Sequence, residues 1–313
     1  CFDNEGYLWA ATEDGLDRIN PETFELTTFR TVQSDPGSLS HNKVYAVCLD
    51  QIGTLWVGTA DGLNRFDSES KNFDRFKTEA GKSGKLSHDS VTSLYCDPSG
   101  ILWIGTEKGL NRFDPENEEF IQFHHISDDP FSLSHDCVRS INQTAPGELW
   151  VGTEGGLNRL DLSNSRFNHY SNNPNDPNSL SNDEVYCIFQ DRSNVLWIGT
   201  NVGLNKYDQE KKWFELYQRI PREENSIRDN YVRAMYADPN DVIWIGTYGG
   251  LSRFDYEKHQ FKHYYPVPED PLSLSNERVM AVYQDRSGIF WIGTWGGLNR
   301  FDPKTNKFNH YRS

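Results

Sequence analysis

LWIGTEKGLNRFD, running from Leu102 to Asp114, returns with small changes along the whole chain. Its tryptophan recurs every 47 residues, at Trp9, Trp56, Trp103, Trp150, Trp197, Trp244 and Trp291, with no insertion between copies. The threonine three places on recurs from Thr12 to Thr294, the glycine six places on from Gly15 to Gly297, and the next leucine from Leu16 to Leu298. A fixed period of this length marks a repeat architecture, and strand-rich units of about 40–50 residues are propeller blades.

One unit reads as four strands. Val44 to Asp50 is β-branched and aromatic, a strand signature. Asp50-Gln-Ile-Gly53 is a type I turn, with Asp first and Gly fourth, and it repeats at Asp3, Asp97 and Asp285. Leu55 to Thr59 carries apolar residues on both faces, as a strand covered on both sides does. Ala60-Asp61-Gly62 is a three-residue hairpin ending on a left-handed glycine. Leu63 to Asp67 is the third strand. Phe73 to Phe76 is the fourth, an alternating outer edge. A loop, often Asp-Pro-x-Ser-Leu-Ser, leads to the next unit. A four-stranded unit cannot bury its own faces, so units pack radially. The expectation is all-β: a seven-bladed β-propeller with four-stranded blades of 47 residues, occupying residues 1–313 as a single domain. Cys1-Phe2-Asp3 aligns with Cys48-Leu49-Asp50, so the first blade lacks its inner strand. The chain is expected to be a piece of a longer receptor whose next strand completes that blade.

Composition narrows the function. Lys+Arg number 31 and Asp+Glu 46, a net charge of −15, which disfavours nucleic acid or an anionic membrane as partner. No apolar run is long enough to span a bilayer. The five cysteines (Cys1, Cys48, Cys96, Cys137, Cys187) show no CxxC spacing and read as small buried hydrophobes.

The string V-x-x-[IV]-x-x-D-x-x-G-x-L-W-[IV]-G-T-x-x-G-L-N-R-[FY]-D resembles the two-component regulator propeller repeat, in all seven units. Departures are Ala11, Thr144, Asn194 and Asp241. The resemblance implies a periplasmic sensor region of a hybrid histidine kinase in an inner-membrane receptor. Its implied ligand is an oligosaccharide or another small molecule, and its implied neighbours are a membrane-proximal β-sandwich and kinase domains. A homodimer is a further expected assembly. No kinase, sandwich or membrane helix is in this sequence, so the chain is expected to bind rather than catalyse, without cofactor or metal. The alternatives are a scaffold propeller that docks another domain and, behind it, a carbohydrate-active enzyme.

Residues common to every repeat serve the scaffold. His41, His88 and His135 share one position in successive units, but Asn182, Asp229 and Asn276 follow them there, which suits a turn rather than a metal site. Function is therefore sought where units differ. The starts of the first strands and the second-to-third hairpins carry Tyr45, Lys108, Arg139, Tyr186, Tyr231, Arg233, Tyr248, Arg278 and Trp295. Tyr and Trp rings can stack on a sugar, and Arg can reach hydroxyls or an acidic group. These nine are the candidate ligand-binding residues.

Overall fold

The computed structural model describes residues 1–79, 84–256 and 258–311. Every regular element among them is a strand. The strands form seven antiparallel meanders, six of four strands and one of three. The fold is a seven-bladed β-propeller. Blade 2 shows the pattern: Val44–Leu49, Leu55–Thr59, Gly62–Phe66 and Phe73–Phe76, hydrogen-bonded in that order. The third strand begins at Gly62, one residue before the expected start, because Gly62 still pairs with Thr59. Blade 1 has Leu8–Thr12, Gly15–Ile19 and Leu26–Phe29, with Phe2 bridged to Leu8 beside the first of them. Two compact units divide the chain: Cys1–Glu154 with Asn158–Asn168, and Gly155–Leu157 with His169–Ser313.

The recurring tryptophan anchors each blade. Trp103 lies in Leu102–Thr106, buried along its whole length. In the first unit, Trp56 packs with Val91, Ile104, Phe113 and Phe120 of the next blade. In the second, Trp244 packs with Val279, Phe290 and Phe301. Truncating such a side chain to alanine typically costs about 3–5 kcal/mol. Six of the seven indoles also donate to the turn aspartate six residues earlier, Trp56 Nε1 to Asp50 at 3.0 Å and Trp197 Nε1 to Asp191 at 2.8 Å. That bond is invisible to a turn reading of the aspartate. Blade 4 has Thr144 in place of the aspartate, and Trp150 Nε1 donates to Thr144 Oγ1 at 3.0 Å and Glu148 Oε1 at 2.9 Å instead.

The glycine after the tryptophan has a packing reason. A Cβ on Gly105 would sit 2.6 Å from Val138 Cγ1, the first residue of the next blade's first strand. The valine of one blade thus seats on bare backbone of its neighbour.

Two networks repeat beneath the loops. In blade 2, Asn64 Oδ1 accepts from Ser40 N–H at 3.0 Å, and the Ser40 and Thr59 hydroxyls meet at 2.8 Å. Blades 3, 4, 5 and 7 copy this with Ser87, Ser134, Ser181 and Ser275. Blade 6 departs: Arg228 and Ser252 stand at the serine and asparagine positions, and the Ser252 hydroxyl bonds His263 Nδ1 at 3.0 Å. The second network settles the three histidines. His41, His88 and His135 each accept, through Nδ1, the N–H two residues on. Asn182, Asp229 and Asn276 do the same through side-chain oxygen. Of the cysteines, Cys137 is buried, whereas the sulfurs of Cys48 and Cys96 are paired between the first strands of adjacent blades. The reading of all five as small buried hydrophobes holds for Cys137 and is corrected for that pair and for Cys1 and Cys187, which are only half-buried.

Candidate functional site

Three repeat positions build the site. The first is the residue just before each first strand. The second follows the strand's opening valine, and there the register slips: Val185 faces Thr200 while Cys187 faces Gly199, leaving Tyr186 as the extra residue of a β-bulge. The same slip occurs after Val44, Val91, Val138, Val232 and Val279. A bulge re-aims the side chain it carries, so Tyr45, Arg139, Tyr186 and Arg233 sit where a strand is free to present them. The third position opens the hairpin between second and third strands. Its N–H donates to the carbonyl of the first position, Tyr248 to Tyr231 at 3.2 Å and Trp295 to Arg278 at 3.1 Å. That bond brings side chains 17 residues apart into one neighbourhood.

In the second unit these positions hold a continuous aromatic ledge. Tyr186 stacks on Tyr231 with centroids 5.0 Å apart, and Tyr231 on Tyr248 at 4.4 Å and 12°. Tyr248 meets Trp295 edge-on at 6.3 Å. Arg233 lies 4.3 Å over the Tyr186 ring, and Arg278 4.1 Å over Trp295 and 5.4 Å over Tyr248. Trp295 is 61% exposed, unlike the seven repeat indoles buried in the blades' second strands. At the far end Glu184 accepts from the Tyr186 hydroxyl at 2.6 Å and from Asn201 Nδ2 at 3.0 Å, and the two tyrosine hydroxyls of 186 and 231 touch at 2.5 Å. Burial, then the Glu184 and Tyr231 hydrogen bonds, push the Tyr186 phenol well above its ordinary value, so it stays a proton donor. Glu184 and Asn201 were not among the sequence candidates. The available signal was positional: Glu184 occupies the place of Tyr231 and Arg278, and Asn201 that of Tyr248 and Trp295.

The first unit uses the same positions differently. Arg139 is ion-paired to Glu154, which its hydrogen bonds hold below the usual carboxylate range. Lys43 Nζ is 3.2 Å from Glu13 and lies over Tyr45 at 5.5 Å. Lys108 is exposed on its hairpin, with no ring contact among the described residues. Tyr45, Arg139 and Lys108 are therefore not joined into a ledge, whereas the other six candidates are.

A separate cleft of about 510 Å³ opens on blade 6, lined by Arg219, Arg222, Arg228, His263 and Tyr265 among others. It shares no residue with the ledge. Burial lowers the pKa of His263, and its Nε2 faces the Glu224 carbonyl at 3.0 Å.

The profile of the two component regulator propeller matches residues 38–61, 85–108, 132–155, 179–202, 226–249 and 273–296. The chain carries six two component regulator propeller repeats. Each matched segment of these repeats runs from the loop through the first two strands into the hairpin, so it contains all three positions that build the site. Among solved structures, the extracellular domain of a putative hybrid two component system from B. thetaiotaomicron is 25% identical with a TM-score of 0.81, over 96% of this chain and 39% of that one. The extracellular domain of a putative one component system from the same organism is 26% identical with a TM-score of 0.55, over 97% of this chain and 40% of that one. The propeller thus spans about two fifths of the length of these structures. A virginiamycin B lyase from Staphylococcus aureus, 14% identical with a TM-score of 0.63 over 86% of this chain and 84% of that one, shares the fold alone. No curated protein matches the chain.

Proposed function

We propose that this propeller is the ligand-binding sensor region of a two-component signalling receptor, placed outside the cytoplasmic membrane, and that it takes an oligosaccharide on the Tyr186–Tyr231–Tyr248–Trp295 ledge. The observation that carries the reading is the ledge itself: four rings in series, one of them a largely exposed tryptophan, on a bulge, a strand entry and two hairpins of three consecutive blades. Pyranose rings present C–H faces that pack on such rings, and ring hydroxyls find Glu184 and Asn201 at one end. The repeats and the likeness to extracellular domains of two-component systems support the receptor setting. A rigid scaffold suits the task, because the rings are fixed before the ligand arrives and little ordering cost is left.

Titration calorimetry of the 313-residue chain against a panel of plant and host glycan fragments tests this. Binding by at least one oligosaccharide, lost in Tyr248→Ala with Trp295→Ala, is expected. Binding that survives both substitutions places the ligand elsewhere, and a panel without any binder rejects the saccharide reading.

A further inference from the structure

We propose that the saccharide is acidic: a uronate-bearing oligosaccharide, bound in one direction, with its carboxylate at Arg233 and Arg278. This rests on the ledge being the saccharide site and adds what selects among saccharides.

The argument begins with how the two arginines are spent. Each holds its guanidinium carbon over an aromatic ring, Arg233 4.3 Å from the Tyr186 centroid and Arg278 4.1 Å from that of Trp295. Among the described residues neither guanidinium donates a side-chain hydrogen bond, so the N–H groups that match a carboxylate with two parallel hydrogen bonds are unspent. Among the described residues neither arginine has a carboxylate within ion-pair distance. The reason is not a shortage of acids, since Asp+Glu outnumber Lys+Arg by 46 to 31. At the corresponding positions of the first unit the cations are neutralised, Arg139 by Glu154 and Lys43 by Glu13. The hairpin residue that supplies Glu154 in blade 4 is Tyr248 in blade 6 and Trp295 in blade 7. The internal acid is replaced by a ring, and the half-buried cation is left without an acid partner beside an aromatic platform.

The other end of the ledge has the opposite character. Glu184 is the acid there, and Asn201 Oδ1 beside it is a buried acceptor without a donor. A carboxylate is repelled from that end, whereas sugar hydroxyls can donate to it. The ledge is therefore polar along its length, with acceptors at blade 5 and unspent guanidinium N–H groups at blades 6 and 7. A neutral sugar would use the rings and the acceptors and meet the guanidiniums through hydroxyls alone, without the charge-assisted pair. A single aromatic acid would fill one ring and leave the other three. An oligosaccharide with a uronate toward blade 7 uses all of them.

The test compares matched probes by calorimetry. Di- and trisaccharides of galacturonate, glucuronate and mannuronate are titrated beside their carboxyl-reduced, neutral counterparts. At least one uronide is expected to bind about tenfold or more tighter than its reduced form, the scale of one charge-assisted hydrogen bond. Arg233→Gln with Arg278→Gln should erase that gap by weakening the uronide far more than its reduced form, and raised salt should narrow it in the parent chain. Equal binding of a uronide and its reduced form overturns the acidic selection and leaves the saccharide reading standing. A gap that persists in the double variant also overturns it, because the carboxylate is then read elsewhere. If neither probe type binds, both this inference and the reading beneath it fall. Circular dichroism and unfolding of the double variant, expected to match the parent, separate lost recognition from lost fold.

Discussion

Blade 4 and blade 6 use the same three backbone positions for opposite ends. In blade 4 they hold Cys137, Arg139 and Glu154, and the arginine closes on the glutamate. In blade 6 they hold Tyr231, Arg233 and Tyr248, and the two rings stack while the arginine lies over the ring of Tyr186. The bulge and the hairpin-to-strand hydrogen bond are alike in both, Glu154 N to Cys137 O at 3.1 Å and Tyr248 N to Tyr231 O at 3.2 Å. The backbone thus delivers three side chains to one place in both blades, and the residue types decide whether that place is sealed or open. In blade 4 the acid at the hairpin position closes it.

The largest effect should come from removing the rings. Tyr248→Ala is expected to weaken oligosaccharide binding by about 30-fold, or about 2 kcal/mol, the scale of a buried aromatic hot spot. Tyr45→Ala, 40% exposed in the first unit and outside the ledge, should leave the affinity unchanged. Titrating both variants with the same ligand breaks the comparison if they lose equally.

Copying the sealed state into the open one comes next. Trp295→Glu puts a carboxylate beside Arg278, as Glu154 stands beside Arg139. The preference for a uronide over its reduced form should fall by about tenfold. Retained preference would mean that the hairpin residue does not govern the arginine.

Blade 6 also differs beneath its loop, where Arg228 and Ser252 replace the serine and asparagine that link the loop to the third strand in five other blades. The double change Arg228→Ser with Ser252→Asn restores that network. A gain of about 1 kcal/mol is expected from the regained buried hydrogen bonds, read as a higher urea midpoint with ledge binding intact. A lower midpoint would show that the Ser252–His263 arrangement is the better packed one.

The smallest effect concerns pH. The Glu154 pKa is depressed in the folded chain, chiefly by the Arg139 hydrogen bond. Its contribution is therefore present above the unfolded value of about 4.3 and is lost as pH falls through the folded value. With both side chains about one third exposed, solvent limits it to a few tenths of a kcal/mol. Unfolding curves at neutral pH and near pH 3 should differ less for Glu154→Gln than for the parent, and an unchanged difference would mean that the pair carries no stability.

Much of this was legible before any coordinates. The 47-residue spacing of Trp9 to Trp291 gives the blade count, and Gly62 gives the hairpin, because both features depend on local chemistry repeated in register. Six of the nine candidate residues gather on the ledge. Choosing them over Tyr45, Arg139 and Lys108 needed two facts that sequence does not carry. One is the bulge after Val185 and its copies, which exists only in the pairing between strands. The other is the hydrogen bond that sets residue 248 beside 231 and 295 beside 278. Once that bond is known, the contrast between Glu154 and Tyr248 is plain in the sequence. The same holds for the Trp–Asp bond, since an aspartate that opens a turn gives no local sign of the indole six residues on.

Hydroxyl-radical footprinting with a saturating oligosaccharide tests the account most directly, because it reads both units in one sample. Protection is expected at Tyr248 and Trp295, with Tyr45 modified at its unliganded rate. Protection at Tyr45, or none at Trp295 while calorimetry reports binding, would contradict the assignment of the open site to the ledge of blades 5 to 7.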